Sequence, residues 1–340
     1  MTLDLQRVRR DRDRGAMELF LVDATGPFFQ AGRGQRINWS KVPFSMMERD
    51  GALPDDVAEA VVRDFQRFAA AVAGMGFTAV TIDDLAHLDP WDGYPRPLRE
   101  KLKAYRALYG RLFEIAAGEG LGVFLTTDVM YLTPDLEHAC DESRAGYADH
   151  LRTVCRFVFR EFGTTVQGVI FRIGESDARD VTGDFHSRLV LRTPRQARRF
   201  IASMLPVFEE HGRWMVFRTW SVGIHSIGDL IWNRETFDAC FRDIDSPRFV
   251  ISMKHGESDF FRFLPVNGLF FRSAHRKIVE LQARREYEGF GLYPSFIGRE
   301  YEAIHRELAR AENVIGACIW CQTGGWGPVF NRTFLEPSSV

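Results

Sequence analysis

Eight short apolar runs, separated mostly by longer amphipathic stretches, predict a (β/α)8 TIM barrel. Three observations carry this reading. The runs are near-continuously apolar and mostly β-branched or aromatic, as strands covered on both faces are. Most of the stretches between them repeat apolar residues at three- and four-residue spacing, which is helical periodicity. The rival fold, an open doubly wound sheet, usually carries a G-x-G-x-x-G phosphate loop after its first strand. Here Gly26-Pro27-Phe28-Phe29 follows the first run instead.

Taken in order, the first run is Glu18–Asp23 (ELFLVD). A helix over Asp55–Ala73 follows, with Val57, Ala60, Val61, Phe65, Phe68, Ala69 and Val72 on one face and Gly74 at its stop. The second run, Phe77–Ile82, leads to a helix over Arg96–Ala117 that stops at Gly118. The third run, Gly122–Thr127, leads to a helix over Ser143–Phe162 that stops at Gly163. The fourth, Gln167–Arg172, precedes a helix over Thr193–Glu210, opened by an N-cap threonine and an N1 proline, Thr193-Pro194. The fifth and sixth runs are Trp214–Thr219 and Phe249–Lys254; Pro265–Ala274 after the sixth is short and irregular. The seventh run, Lys277–Gln282, is followed by a helix over Gly298–Ala311, and the eighth run is Gly316–Cys321.

No repeat or low-complexity linker divides the chain, so one domain is expected. The barrel spans 17–326, after a charged lead-in at 1–16 and before a tail at 327–340. Twenty residues follow Trp320, among them Gly324, Gly325, Pro328 and Pro337, so a full eighth helix is hard to place. The eighth helix is therefore expected to be missing or modified. The barrel would close unconventionally, be completed by another subunit, or belong to a truncated form.

The chain has 340 residues, 45% of them hydrophobic and 26% charged. That excludes a disordered chain and leaves room for a large core. With 44 Lys and Arg against 46 Asp and Glu, the net charge is −2, which disfavours a nucleic-acid binder. No run is long and apolar enough to span a membrane, and the N-terminus lacks the apolar segment of a secretory signal. Cys140, Cys155, Cys240, Cys318 and Cys321 are an odd set without framework spacing, which fits reduced thiols and a cytoplasmic location. Cys318 and Cys321 form a C-x-x-C inside the apolar run GACIWC, with no second pair, so a buried strand is expected rather than a zinc site. Aromatics reach 13%, as a wide phenylalanine core or a sugar-stacking cleft would have.

A barrel places its chemistry at the C-terminal ends of its strands. Those ends carry Asp23, then Asp83 and Asp84, then Asp128. The fourth strand continues as QGVIFRIGESD, with Arg172, Glu175 and Asp177. The fifth ends with Arg218 and Trp220, and the sixth runs ISMKHGESDFF, with Lys254, His255, Glu257 and Asp259. The seventh runs ELQARREYEG, with Gln282, Arg284, Glu286 and Tyr287; the eighth ends in Trp320, Gln322 and a loop reaching Trp326. So many charges at one mouth are costly unless they are paired or used. Paired carboxylates with stacking tryptophans suit glycoside hydrolysis, where one acid protonates the leaving oxygen and another carboxylate activates water or attacks. Metal-assisted hydrolysis is the competitor, but it wants histidine-rich strand ends, and His87, His255 and His275 are scattered. No cofactor and no metal are expected.

Four segments, GVIFRIGES, VFRTW, KHGESDF and ELQARREYEG, resemble those of glycoside hydrolase family 67, the α-glucuronidases. The resemblance covers about residues 165–326 and is faint over 17–130. It implies an inverting, exo-acting hydrolase that releases an α-linked uronic acid from an oligosaccharide. Glu175 would be the general acid, and Asp259 and Glu286 the carboxylates that activate water. Arg172, Arg218 and Lys254 would hold the uronate, with Trp220, Tyr287, Trp320 and Trp326 completing the substrate site. Lys254 and Arg218 would favour the ionised forms of nearby carboxylates. Several positions depart from the family pattern. Arg172 stands for a lysine and lies one residue closer to the acid. His255 stands for an asparagine, and Thr219-Trp220 replaces a different pair. These departures bear on which sugar is bound, so a related barrel glycosidase with neutral or other acidic specificity is an alternative. A non-catalytic carbohydrate-binding barrel is another. A homo-oligomer is compatible with the sequence.

Overall fold

The computed structural model describes residues 17–23, 44–142, 146–174, 183–221, 225–283 and 297–320. All eight apolar runs form strands. They are β1 (Leu19–Asp23), β2 (Ala79–Asp83), β3 (Gly122–Asp128), β5 (Val166–Arg172), β7 (Trp214–Arg218), β8 (Phe249–Lys254), β9 (Arg276–Gln282) and β10 (Val314–Trp320). These eight close into a parallel barrel in chain order, sealed where β1 pairs with β10 from Leu19↔Gly316 to Val22↔Ile319. Two further two-residue strands, β4 (Tyr131–Leu132) and β6 (His186–Ser187), pair antiparallel beyond the ends of β3 and β5.

The helices are α1 (Asp55–Gly74), α2 (Arg96–Gly118), α3 (Pro134–Glu142), α4 (Gly146–Glu161), α5 (Pro194–His211), α6 (Arg234–Phe241) and α7 (Gly298–Leu308). The start of α5 forms as expected: Thr193 and Gln196 make a reciprocal capping box, and Gly212 closes the helix with a left-handed φ of 64°. Two helices go beyond the sequence reading. The helix α3 precedes α4, and the Thr133 hydroxyl caps it by accepting from the Leu136 amide at 3.1 Å. The helix α6 is eight residues long, too short to show a clear period, and is capped by Asn233 accepting from the Thr236 amide at 3.1 Å. Pro265–Ala274 holds only a 3-10 turn at Gly268–Phe271. The expected lead-in, tail and altered eighth helix lie outside the described residues.

Two apolar clusters form. The larger one lies between the strands and the helical layer, and includes Phe65, Phe68, Tyr105, Phe208 and Phe241. The smaller one fills the barrel, with Leu21, Phe124, Ile170, Val216, Val250 and Ile278 as members and Trp214 and Trp320 packed against it. Cys318 belongs to this inner plug, where burial pushes its thiol well up. That is the environment of a buried strand cysteine. Cys321 lies outside the described residues. No helix among the described residues is long and apolar enough to cross a membrane.

Candidate functional site

Side chains of a strand alternate between its faces, so every second residue beyond the inner plug also points into the barrel. Counting in twos from Leu21, Phe124, Ile170, Val216, Val250, Ile278 and Cys318 reaches Asp23, Asp128, Arg172, Arg218, Lys254, Glu280 and Trp320. Asp83 occupies the same position on β2, four residues beyond Ala79. The barrel is thus apolar below and almost wholly ionic at its C-terminal mouth. Asp23, Asp83, Asp128, Arg218, Lys254 and Glu280 are all buried.

The mouth is organised as three ion-pair groups. On one side Arg172 bridges two strands, with Nε 2.9 Å from Asp128 Oδ1 and Nη1 3.4 Å from Asp83 Oδ1. Ser187, on β6, donates its hydroxyl to the other oxygen of Asp128. Asp23 accepts from the Thr81 hydroxyl at 3.2 Å.

On the opposite side Arg218 holds Glu280 with both arms of its guanidinium, at 2.8 and 2.7 Å. Ser252 donates to Glu280 at 2.7 Å and the Trp320 indole N–H at 3.1 Å. The Trp320 ring also stacks under the Arg218 guanidinium at 4.3 Å. Burial alone would raise the Glu280 carboxyl, but Arg218 and Ser252 outweigh it and hold it below its ordinary value.

The third group is Lys254 with Asp259, at 2.6 Å. The ammonium also lies 3.1 Å from the centre of the Trp220 ring and 4.6 Å from that of Phe260. Burial is the largest influence on Lys254 and draws it below the ordinary lysine value, with Asp259 opposing. Next to it His255 is buried, stacks on Phe260 and is likewise pulled down by burial.

The structure therefore brings together Arg172, Arg218, Trp220, Lys254, Asp259 and Trp320 of the residues singled out from the sequence. It also changes how three of them read: Arg172, Arg218 and Lys254 are each already paired with a carboxylate of the protein. Glu175, Glu286, Tyr287 and Trp326 lie outside the described residues. Glu280 was missed because it sits within an apolar run, although counting in twos from the inner plug residue Ile278 reaches it. Asp83 and Asp128 were visible as strand ends, but not as partners of Arg172. Among the described residues no group of three His, Cys, Asp or Glu side chains is arranged to hold a metal ion.

Two further networks, one buried and one partly buried, tie loops to the helical layer. Asp89, beyond β2, accepts from Tyr94 at 2.8 Å and Tyr131 at 3.1 Å, and lies 2.6 Å from His150 Nε2. Lys101 on α2 joins Glu48 at 2.7 Å to Asp184 at 2.6 Å. These links fasten three loop segments to the helical layer, as a preorganised site requires.

No family model matches the chain, and no curated protein sequence matches it. Solved structures share its architecture. A GH138 enzyme targeting pectin rhamnogalacturonan II superposes with a TM-score of 0.54 at 13% identity, over 92% of this chain and 35% of its own. The pneumococcal virulence factor StrH, studied for N-glycan recognition and hydrolysis, gives 0.50 at 10% identity, over 95% of this chain and 82% of its own. A trimodular GH5_4 subfamily endoglucanase gives 0.50 at 12% identity, over 96% and 58%. The chain spans about a third of the length of the first of these. The likeness to family 67 is carried by the four sequence segments alone. At these identities the superpositions establish the fold, and the chain is a (β/α)8 barrel of the kind those three proteins contain.

Proposed function

We propose that this protein is a glycoside hydrolase acting at the C-terminal mouth of its barrel. The ionic layer at that mouth carries the proposal. A barrel stabilised for its own sake would continue its apolar plug upward, because burying so many ionised groups is expensive. Groups with perturbed proton affinity, Lys254 and Glu280, sit there beside two tryptophans. The same fold in the three proteins above adds weight by analogy.

In the finer reading the enzyme is exo-acting and inverting, and releases an α-linked uronic acid. Glu175 protonates the departing oxygen. Asp259, held by Lys254, activates water together with Glu286. Inversion asks for roughly 6.5–9.5 Å between acid and base. The resemblance of the four segments to those of family 67 supports this reading.

One observation favours a second reading, a neutral sugar. Among the described residues of the mouth stand five carboxylates, Asp23, Asp83, Asp128, Asp259 and Glu280, against three cations. Each cation is engaged within the protein, so an incoming uronate must compete with built-in carboxylates.

The test is a panel of aldouronic acids and of aryl glycosides of uronic and neutral sugars, with the product anomer followed by NMR. Release of the β-anomer from an α-linked uronide supports the finer reading. Turnover of neutral glycosides alone selects the second, and retained configuration removes the inverting mechanism. Glu175→Gln should lower turnover by orders of magnitude with folding intact; near-normal activity removes it as the acid.

A further inference from the structure

We infer that the loop leaving β8 is a sugar-stacking platform, on which Phe263, with Phe261 beside it, binds the units of an oligosaccharide beyond the bond that is cut. This deepens the glycosidase reading and rests on it.

The loop starts at the candidate site. Asp259 pairs with Lys254, and Phe260 turns inward over the same ammonium. The next aromatic residues turn outward: Phe261 is 47% exposed and Phe263 87%. Exposed phenylalanine rings cost free energy in water, and grouped ones mark surfaces that bind something. Of the five large apolar side chains exposed among the described residues, these two share one short loop.

The loop is also held in shape. Leu264 packs on the backbone of Gly256, so closely that a Cβ at Gly256 would meet it at 2.7 Å. The Asn267 amide donates to the His255 carbonyl at 2.7 Å, and the His255 amide to the Glu280 carbonyl at 3.2 Å. The guanidinium of Arg262 lies 5.0 Å from the Phe263 ring centre and pairs with Glu300 on α7 at 3.1 Å. Apolar rings are thus presented on a fixed support, which lowers the entropy lost on binding.

Position and chemistry select the occupant. From Asp259 to Phe263 the chain extends at most about 14 Å. The rings therefore stand within a few sugar units of the carboxylate that would activate water. A pyranose offers an apolar C–H face to a ring and hydroxyls at its edge. The Arg262–Glu300 pair lies beside the Phe263 ring, where those hydroxyls would find donors and acceptors.

The experiment compares the wild-type chain with Phe263→Ala and with Met75→Ala, another exposed side chain, which follows α1 at the other end of the barrel. Calorimetry measures affinity for aldouronic acids and for neutral gluco-oligosaccharides of increasing length. A glycosyl fluoride, whose leaving group has no ring, reports turnover independently. Phe263→Ala should leave turnover of the fluoride within about twofold, because no platform contact is made. It should lose about tenfold or more in affinity for the longer oligosaccharides, the scale of one phenylalanine burial, while Met75→Ala changes neither. Equal affinities of the wild type and Phe263→Ala at every length overturn the platform, even where the fluoride is turned over. If the wild type turns over nothing, the glycosidase reading fails. Oligosaccharide binding that Phe263→Ala removes would still support the platform, and no binding by the wild type overturns it.

Discussion

Arg218 and Glu280 join strands that are not neighbours. Arg218 ends β7, Glu280 lies in β9, and β8 runs between them, yet two parallel N–H···O contacts of 2.8 and 2.7 Å span the barrel interior. Ser252, on the strand between, donates to the same carboxylate, and Trp320 donates from β10. One glutamate thereby holds donors from three other strands. Its acceptor capacity is taken up, which suits a residue that fixes the mouth more than one that attacks a substrate.

Glu280→Gln should destabilise the fold by about 3–5 kcal/mol, because it leaves the buried Arg218 charge without its bidentate partner. Denaturant unfolding measures this. The pH dependence should change too. The folded carboxyl lies below its ordinary value of 4.5, so its contribution is present above that value and is lost as pH falls through the depressed one. The variant should lack this part of the acid-side loss of stability. A variant as stable as the wild type with an unchanged acid limb contradicts the role.

Lys254 sets an alkaline limit. Burial holds it below the ordinary lysine value of 10.5, so it loses its proton before an exposed lysine would. Between the depressed and ordinary values the unfolded chain binds more protons than the folded one, so stability rises with pH through that window. Activity should fall there, because Asp259 loses its cationic partner. The alkaline limb of kcat/KM should therefore lie below the ordinary lysine range. Lys254→Arg should move it upward, since a guanidinium keeps its charge. Identical limbs in both proteins exclude Lys254 as the group responsible.

Asp259→Asn tests the proposed role of Asp259 as a carboxylate that activates water. The side chain is 23% exposed, but its partner Lys254 is buried, so the neutral variant leaves that ammonium without its carboxylate and should cost about 1–3 kcal/mol. Turnover should fall by about 10²–10⁴-fold, the usual contribution of a positioned base. Steady-state rates and melting temperature together check this. A large loss of stability with intact specific activity assigns Asp259 to structure alone.

The barrel was legible because its strands are covered on both faces, so each of the eight runs reads as a strand without help from its neighbours. The helices α1, α2 and α5 were legible because each presents several turns of periodic apolar residues. The helix α6 has eight residues, and its signal lies in the Asn233 cap more than in any period. The site was legible as strand ends and not as pairs. Arg172 meets Asp83 across 89 positions and Asp128 across 44, and Glu280 meets Arg218 across 62. Which ends face each other follows from barrel closure, which no local spacing encodes. For the same reason the cations looked available to a substrate, and pairing within the fold shows that they are engaged.

Two glycines should respond in opposite directions to the same substitution. Gly316 pairs with Leu19 in the seam that closes the barrel, and a Cβ there would overlap the Leu19 carbonyl. Backbone on a neighbouring strand cannot step aside as a side-chain tip can. Gly316→Ala should therefore force β1 and β10 apart and cost about 3 kcal/mol, the upper end for an overpacked core. Gly74 ends α1, has a φ outside the left-handed region, and a Cβ added to it would meet nothing within 4 Å. Gly74→Ala should raise stability by about 0.5–1 kcal/mol, by reducing the freedom of the unfolded chain. Urea unfolding of both variants decides the matter. A neutral Gly316→Ala would mean that the seam between β1 and β10 is not as tightly closed as the register requires.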